Sequence, residues 1–105
     1  ALVDDEKPRL VRDLADRDYL MLRNHGLLTV GDSVATAFLN MYMFQSVCAI
    51  QLRAQSGGGE LRRVPEHVLA GGGAQWRAVT RGIGGGIAWP ALLRKLDRLD
   101  PSWRD

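Results

Sequence analysis

Cysteine is almost missing from these 105 residues: Cys48 stands alone, so no internal disulfide can form. That pattern points to an intracellular, cytoplasmic setting. An excess of one charge is missing too. Fourteen basic side chains face 12 acidic ones for a net +2, a balance too even to suggest a nucleic-acid or membrane partner. No basic segment followed by an apolar one opens the chain, so no secretion signal is visible. Histidine is scarce, with only His25 and His67. A catalytic zinc normally takes three protein ligands and leaves one position open. Two histidines and one cysteine, at spacings that suggest no common cluster, do not make such a site by themselves.

What is present reads as a globular chain, 46% hydrophobic and 25% charged. Its length allows one domain at most, with a core of modest size. Residues 4–15 form an amphipathic helix, with Leu10, Val11 and Leu14 on one side and acidic residues in front. YLMLR (19–23) is a short buried strand, and LLTV (27–30) is its antiparallel or bent continuation. Gly31-Asp32 turns the chain, and Asp32 or Ser33 caps the next helix.

That helix, over 33–55, is the longest element, and no charge appears between Ser33 and Leu52. A membrane span needs roughly 20 predominantly apolar residues. Thr36, Asn40, Gln45, Ser46 and Gln51 interrupt this run on several faces, so the expectation is a helix buried on most sides. Val34, Phe38, Met41, Gln45, Cys48 and Leu52 form one stripe, while Leu39, Tyr42, Met43, Val47 and Ile50 form a second. A helix apolar all round wants two partners, and the second is expected from another subunit.

SGGGE (56–60) is a flexible loop, and Pro65 starts a short helix, PEHVLA. The glycine density of AGGGAQW and RGIGGGIAW predicts a loosely ordered connector. Pro90 then marks the first turn of a last helix, with Leu92, Leu93, Leu96 and Leu99 as its core face. Gly82-Ile83-Gly84 begins like a dinucleotide fingerprint, but no apolar strand precedes it and Ile87 stands where the last glycine belongs. His67 lies in a polar stretch and reads as solvated. Cys48 reads as a small core residue.

Asn24-His25-Gly26 is the unusual feature, because it places an imidazole and an amide between two apolar runs. Burying polar groups without partners costs a few kcal/mol. A histidine here serves either as a hydrogen-bonded structural residue or as a metal ligand. Gly26 permits a sharp bend, and Asn24 is placed to orient the ring through a hydrogen bond.

The stretch YLMLRNHGLLTVGDSVATAFLNMYMFQSVCAIQLRA resembles the carboxyl-terminal half of the class II aldolase/adducin family. The tail WPALLRKLDRLDPSWRD is similar to that of its adducin-like bacterial branch. The resemblance implies an α/β fold, a three-layer α/β/α sandwich, of which this chain holds the carboxyl-terminal part of the sheet and its helices. It divides residues 1–105 into a sheet-and-helix core (1–56), a glycine-rich connector (57–88) and a terminal helix with tail (89–105). It further implies a divalent metal, usually zinc, held by three histidines. Two come from an upstream His-x-His pair absent here, and His25 matches the third, with Asn24 and Gly26 in support. An upstream glutamate that serves as acid/base is absent as well, so catalytic residues stay unassigned.

The implied full-length protein is an aldolase-type lyase that acts on a small hydroxy-carbonyl or sugar-phosphate substrate. There the metal would act as a Lewis acid on the carbonyl. It is expected to be a homo-oligomer, commonly a tetramer, with the isolated fragment inactive. Adducin heads, non-catalytic interaction modules on the same fold, are the alternative. That branch often ends in tyrosine where Trp103 stands here, so no catalytic role passes to Trp103.

Overall fold

The structure, a computed structural model, describes residues 6–80 and 83–105. The acidic front of the first helix at Asp4 and Asp5, and Gly82 of the glycine run, lie outside the described residues. In chain order the elements are α1 (Glu6–Leu14), β1 (Tyr19–Leu22), β2 (Gly26–Thr29), α2 (Val34–Ser56), α3 (Glu66–Thr80) and α4 (Gly84–Leu99), followed by a 3₁₀ turn over Pro101–Arg104. Two compact units divide the chain, the first ending at Cys48 and the second beginning at Ala49.

In the first unit, α1 ends at Leu14: the Ala15 N–H still donates to the Val11 carbonyl at 3.0 Å, but its positive φ of 48° turns the chain off the helix. β1 and β2 pair antiparallel, with Tyr19 opposite Thr29 and Leu22 opposite Gly26. The backbone N–H of Val30 donates to the Asp18 carbonyl at 3.0 Å and closes the base of this hairpin. α2 starts where the sequence indicates. The Ser33 hydroxyl accepts from the Thr36 N–H at 3.1 Å, which satisfies one of the amides that a helix start leaves without a partner. Of the two candidate caps, Ser33 does the work.

α2 differs from its expected burial. No hydrophobic side chain among the described residues is fully buried. Phe38 is 43% exposed, Tyr42 62% and Val34 74%. A helix uncharged from Val34 to Leu52, with its one charge, Arg53, in the last turn, needs cover on at least two sides. The first unit supplies a hairpin with two four-residue strands, which meets one side only. Composition counts apolar residues but not the surfaces available to cover them.

In the second unit, helix occupies the glycine-rich stretches expected to be loosely ordered, while residues 57–65 lie outside any helix. α3 runs for 15 residues through Gly71, Gly72 and Gly73, and α4 begins at Gly84, with Pro90 inside it and not at its start. Each glycine weakens a helix by about 1 kcal/mol relative to alanine. The neighbouring Glu66, Leu69, Ala70, Ala74, Gln75, Trp76 and Arg77 are mostly good helix formers, and the helix carries through. The chain then leaves α4 through Asp100, whose side chain accepts from the Ser102 N–H at 3.0 Å and caps the final 3₁₀ turn.

Candidate functional site at the hairpin turn

Arg23, Asn24 and His25 form the connection between β1 and β2. The His25 N–H donates to the Leu22 carbonyl at 3.3 Å, which closes a four-residue turn. Asn24, the third residue of that turn, has φ of 55°. A positive φ there is the demand of a type II turn, met by glycine or asparagine. Gly26 has φ of 150°, a conformation that side chains rarely adopt, although a Cβ built there would meet nothing within 4 Å. Backbone conformation, not crowding, therefore calls for glycine at 26.

All three residues are exposed. The polar trio is not buried between apolar runs, and no desolvation cost arises. The expected hydrogen bond from Asn24 to the imidazole is not made among the described residues. Asn24 contributes its positive-φ backbone to the turn instead. The imidazole ring has no hydrogen-bond partner among the described residues, so both nitrogens face solvent at the end of the hairpin.

No group of three His, Cys, Asp or Glu side chains that could hold a metal ion occurs among the described residues. The chain's own donor set around His25 is one imidazole, a common metal ligand in its neutral form. It fits a metal as one ligand among several. His67 lies exposed on the first turn of α3, and Cys48 is half-buried on α2.

Behind the turn, the hairpin is fastened to α2 by groups that sequence patterning passed over. Tyr19 Oη donates to Asn40 Oδ1 at 3.1 Å, and Asn40 Nδ2 donates to the Val30 carbonyl at 2.9 Å. Thr29 Oγ1 donates to the Ala37 carbonyl at 2.9 Å. The Tyr19 ring meets Phe44 edge-on, with centroids 5.5 Å apart and planes at 80°, a favoured aromatic arrangement. Burial, and secondarily the Asp18 carboxylate, raise the Tyr19 phenol above its ordinary range. The phenol therefore stays protonated and able to donate. The available signal was Asn40 itself, an amide amid apolar residues, which reads only as an interruption until its partners are known.

A second polar cluster closes the chain. Arg104 Nε and Nη2 donate to Asp97 Oδ1 and Oδ2 at 2.7 and 2.6 Å, and Trp103 Nε1 donates to Oδ1 at 3.0 Å. The Arg104 guanidinium also lies 5.0 Å from the centre of the Trp103 ring. Trp103 thus has a structural hydrogen bond.

Comparison with known proteins gives a consistent picture. The family described as Class II Aldolase and Adducin N-terminal domain matches residues 2–52. A Pseudomonas aeruginosa protein, known as a class 2 aldolase by name alone, is 50% identical over 107 residues, covering 99% of this chain and 41% of the relative. Human beta-adducin is 34% identical over 94 residues, covering 76% of this chain and 12% of the relative. A crystal structure of an aldolase II superfamily protein from Pseudomonas syringae superposes with a TM-score of 0.83 at 42% identity, covering all of this chain and 42% of that one. The chain thus spans about two-fifths of the length of these bacterial relatives.

Proposed function

Because this chain belongs to the class II aldolase/adducin family, we propose that the protein it represents is a metal-dependent lyase of the aldolase type. In this reading His25 is one ligand of a divalent cation, zinc by preference, and the substrate is a small hydroxy-carbonyl or sugar-phosphate compound. A cation bound there supplies Lewis-acid polarisation of a carbonyl. The single observation that carries the reading is the His25 ring, exposed and free of protein partners among the described residues, on a turn that Asn24 and Gly26 hold in conformations few residues adopt.

The chain's own residues perform three tasks in this scheme. His25 presents a neutral nitrogen toward the cation. Asn24 supports it by keeping the turn closed at positive φ, and Gly26 lets β2 leave that turn at once. The three carry no proton transfer, and one imidazole leaves the remaining ligands to be supplied from outside this chain. A cytoplasmic homo-oligomer goes with the proposal.

A second reading keeps the fold and drops the chemistry: an adducin-like interaction module. The match to beta-adducin favours it, since 76% of this chain aligns at 34% identity with a protein of that name. Metal content and aldehyde release of the complete gene product, measured beside its His25→Ala variant, separate the two. The lyase reading expects bound zinc and cleavage, both lost in the variant. Metal-free, inactive protein with an intact fold would favour the module.

A further inference from the structure

One carboxamide joins both ends of the hairpin to α2. Asn40 accepts from the Tyr19 hydroxyl and donates to the Val30 carbonyl, at 3.1 and 2.9 Å. Tyr19 opens β1, and Val30 is the residue after β2. A side chain that must donate and accept at once is met by an amide, whereas an ionised carboxylate only accepts. Ala37 and Phe44, three residues before Asn40 and four after it, fall on the same helix face and hold Thr29 and Tyr19.

A two-stranded hairpin is marginal in water on its own. Here it consists of two four-residue strands, and Tyr19, Thr29 and Val30, which fasten it to α2, lie at the base. His25 sits at the other end, beyond the closing pair Leu22 and Gly26. A slip of one residue in pairing would send every side chain to the opposite face. The register fixed at the base therefore decides where the turn presents its ring.

We propose that Asn40 is a positioning residue for His25. Its bridge between Tyr19 and Val30 fixes the hairpin register and, through it, the direction in which the imidazole is offered. The inference rests on the reading of His25 as a metal ligand and names the residue on which the placement of that ligand depends.

The test uses the 105-residue chain, isotope-labelled, as wild type, Asn40→Ala, Asn40→Asp and Tyr19→Phe. In the wild type, a Tyr19–Thr29 cross-strand contact and backbone order parameters near about 0.85 at residues 24–26 are expected. Asn40→Ala drops those order parameters below about 0.6 while α2 keeps its helicity by circular dichroism. Asn40→Asp loosens the turn at neutral pH, because its carboxylate cannot donate to Val30. Protonation below about pH 3 restores a donor and recovers the order. Asp18, the charged neighbour at the hairpin base, is common to wild type and variant and cancels in the comparison.

An unchanged turn in Asn40→Ala with α2 intact overturns the proposal. So does a wild-type chain without the Tyr19–Thr29 contact, or an Asn40→Asp chain that ignores acid. Should Asn40→Ala lose α2 as well, Tyr19→Phe, which deletes a single hydroxyl, decides by the same readout. Zinc content of the complete gene product, measured beside its His25→Ala variant, tests the ligand reading separately. Zinc content unchanged in that variant would sink that reading and leave the register result standing.

Discussion

The Arg104 guanidinium holds both oxygens of the Asp97 carboxylate, at 2.7 and 2.6 Å, across the junction between α4 and the last turn of the chain. Two parallel bonds of this kind fix direction as well as distance. They account for the order of a tail that would otherwise fray.

Acid should release this tail. The hydrogen bond from Arg104 first, and then its charge and the Trp103 donor, hold the Asp97 carboxyl below the usual carboxylate range. The same pairing raises Arg104 above its ordinary range. A group whose pKa is depressed on folding stabilises above its unfolded value and loses that contribution as pH falls through its folded value. The partner's contribution persists until pH exceeds the guanidinium range. The tail is therefore expected to stay ordered from just above the carboxylate range to strongly alkaline pH. Trp103 should become solvent-quenched in acid, and Asp97→Asn should show the quenched signal at neutral pH. A Trp103 environment unmoved in that variant would contradict the coupling.

Two residues of positive φ should respond in opposite directions. Gly26→Ala should destabilise the hairpin by about 1–3 kcal/mol, the cost of holding a side chain in a sparsely populated conformation. Ala15→Gly should stabilise the end of α1 by up to about 1 kcal/mol, because glycine is the natural occupant of a left-handed helix stop. Amide exchange at Val30 and Ala15 reads the two effects separately.

Gly31 should fail for another reason. A Cβ there would lie 2.7 Å from the Ala37 backbone nitrogen and 3.0 Å from Thr36 Cβ. The nearest atom is backbone and cannot step aside, so Gly31→Ala should shift the start of α2 at a cost of about 1–3 kcal/mol. Chemical denaturation would register the loss, with the Ser33 cap broken alongside it.

His25→Ala should be nearly silent in stability, within about 0.5 kcal/mol, because the exposed ring touches nothing that folding requires. Its effect should appear only in metal content and activity of the complete protein. A large loss of stability in the short chain would assign the imidazole a structural task instead.

Local signals in the sequence carried far where chemistry and conformation coincide within a few residues. Ser33 as cap, the hairpin around Asn24 and Gly26, and the uninterrupted α2 all follow from neighbours in the chain. Signals failed where the partner is distant or another layer decides. Asn40 reaches 21 residues back to Tyr19, and nothing in its own surroundings announces that. Asp97 meets Trp103 and Arg104 only because Asp100 and Pro101 turn the chain back on itself. The glycines of α3 misled for the converse reason, since the residues around them favour helix strongly enough to prevail. Burial was the least legible, because an apolar face looks the same in sequence whether or not anything covers it.

The uncharged Val34–Leu52 stretch of α2, with Phe38 and Tyr42 partly open to water, sets how the chain behaves in a tube. Ionic screening weakens contacts between charged faces, but sulfate and similar salts strengthen association between apolar ones. Solubility should therefore fall as ammonium sulfate is added, with oligomers forming ahead of precipitate, and recover in mild urea well before helicity is lost.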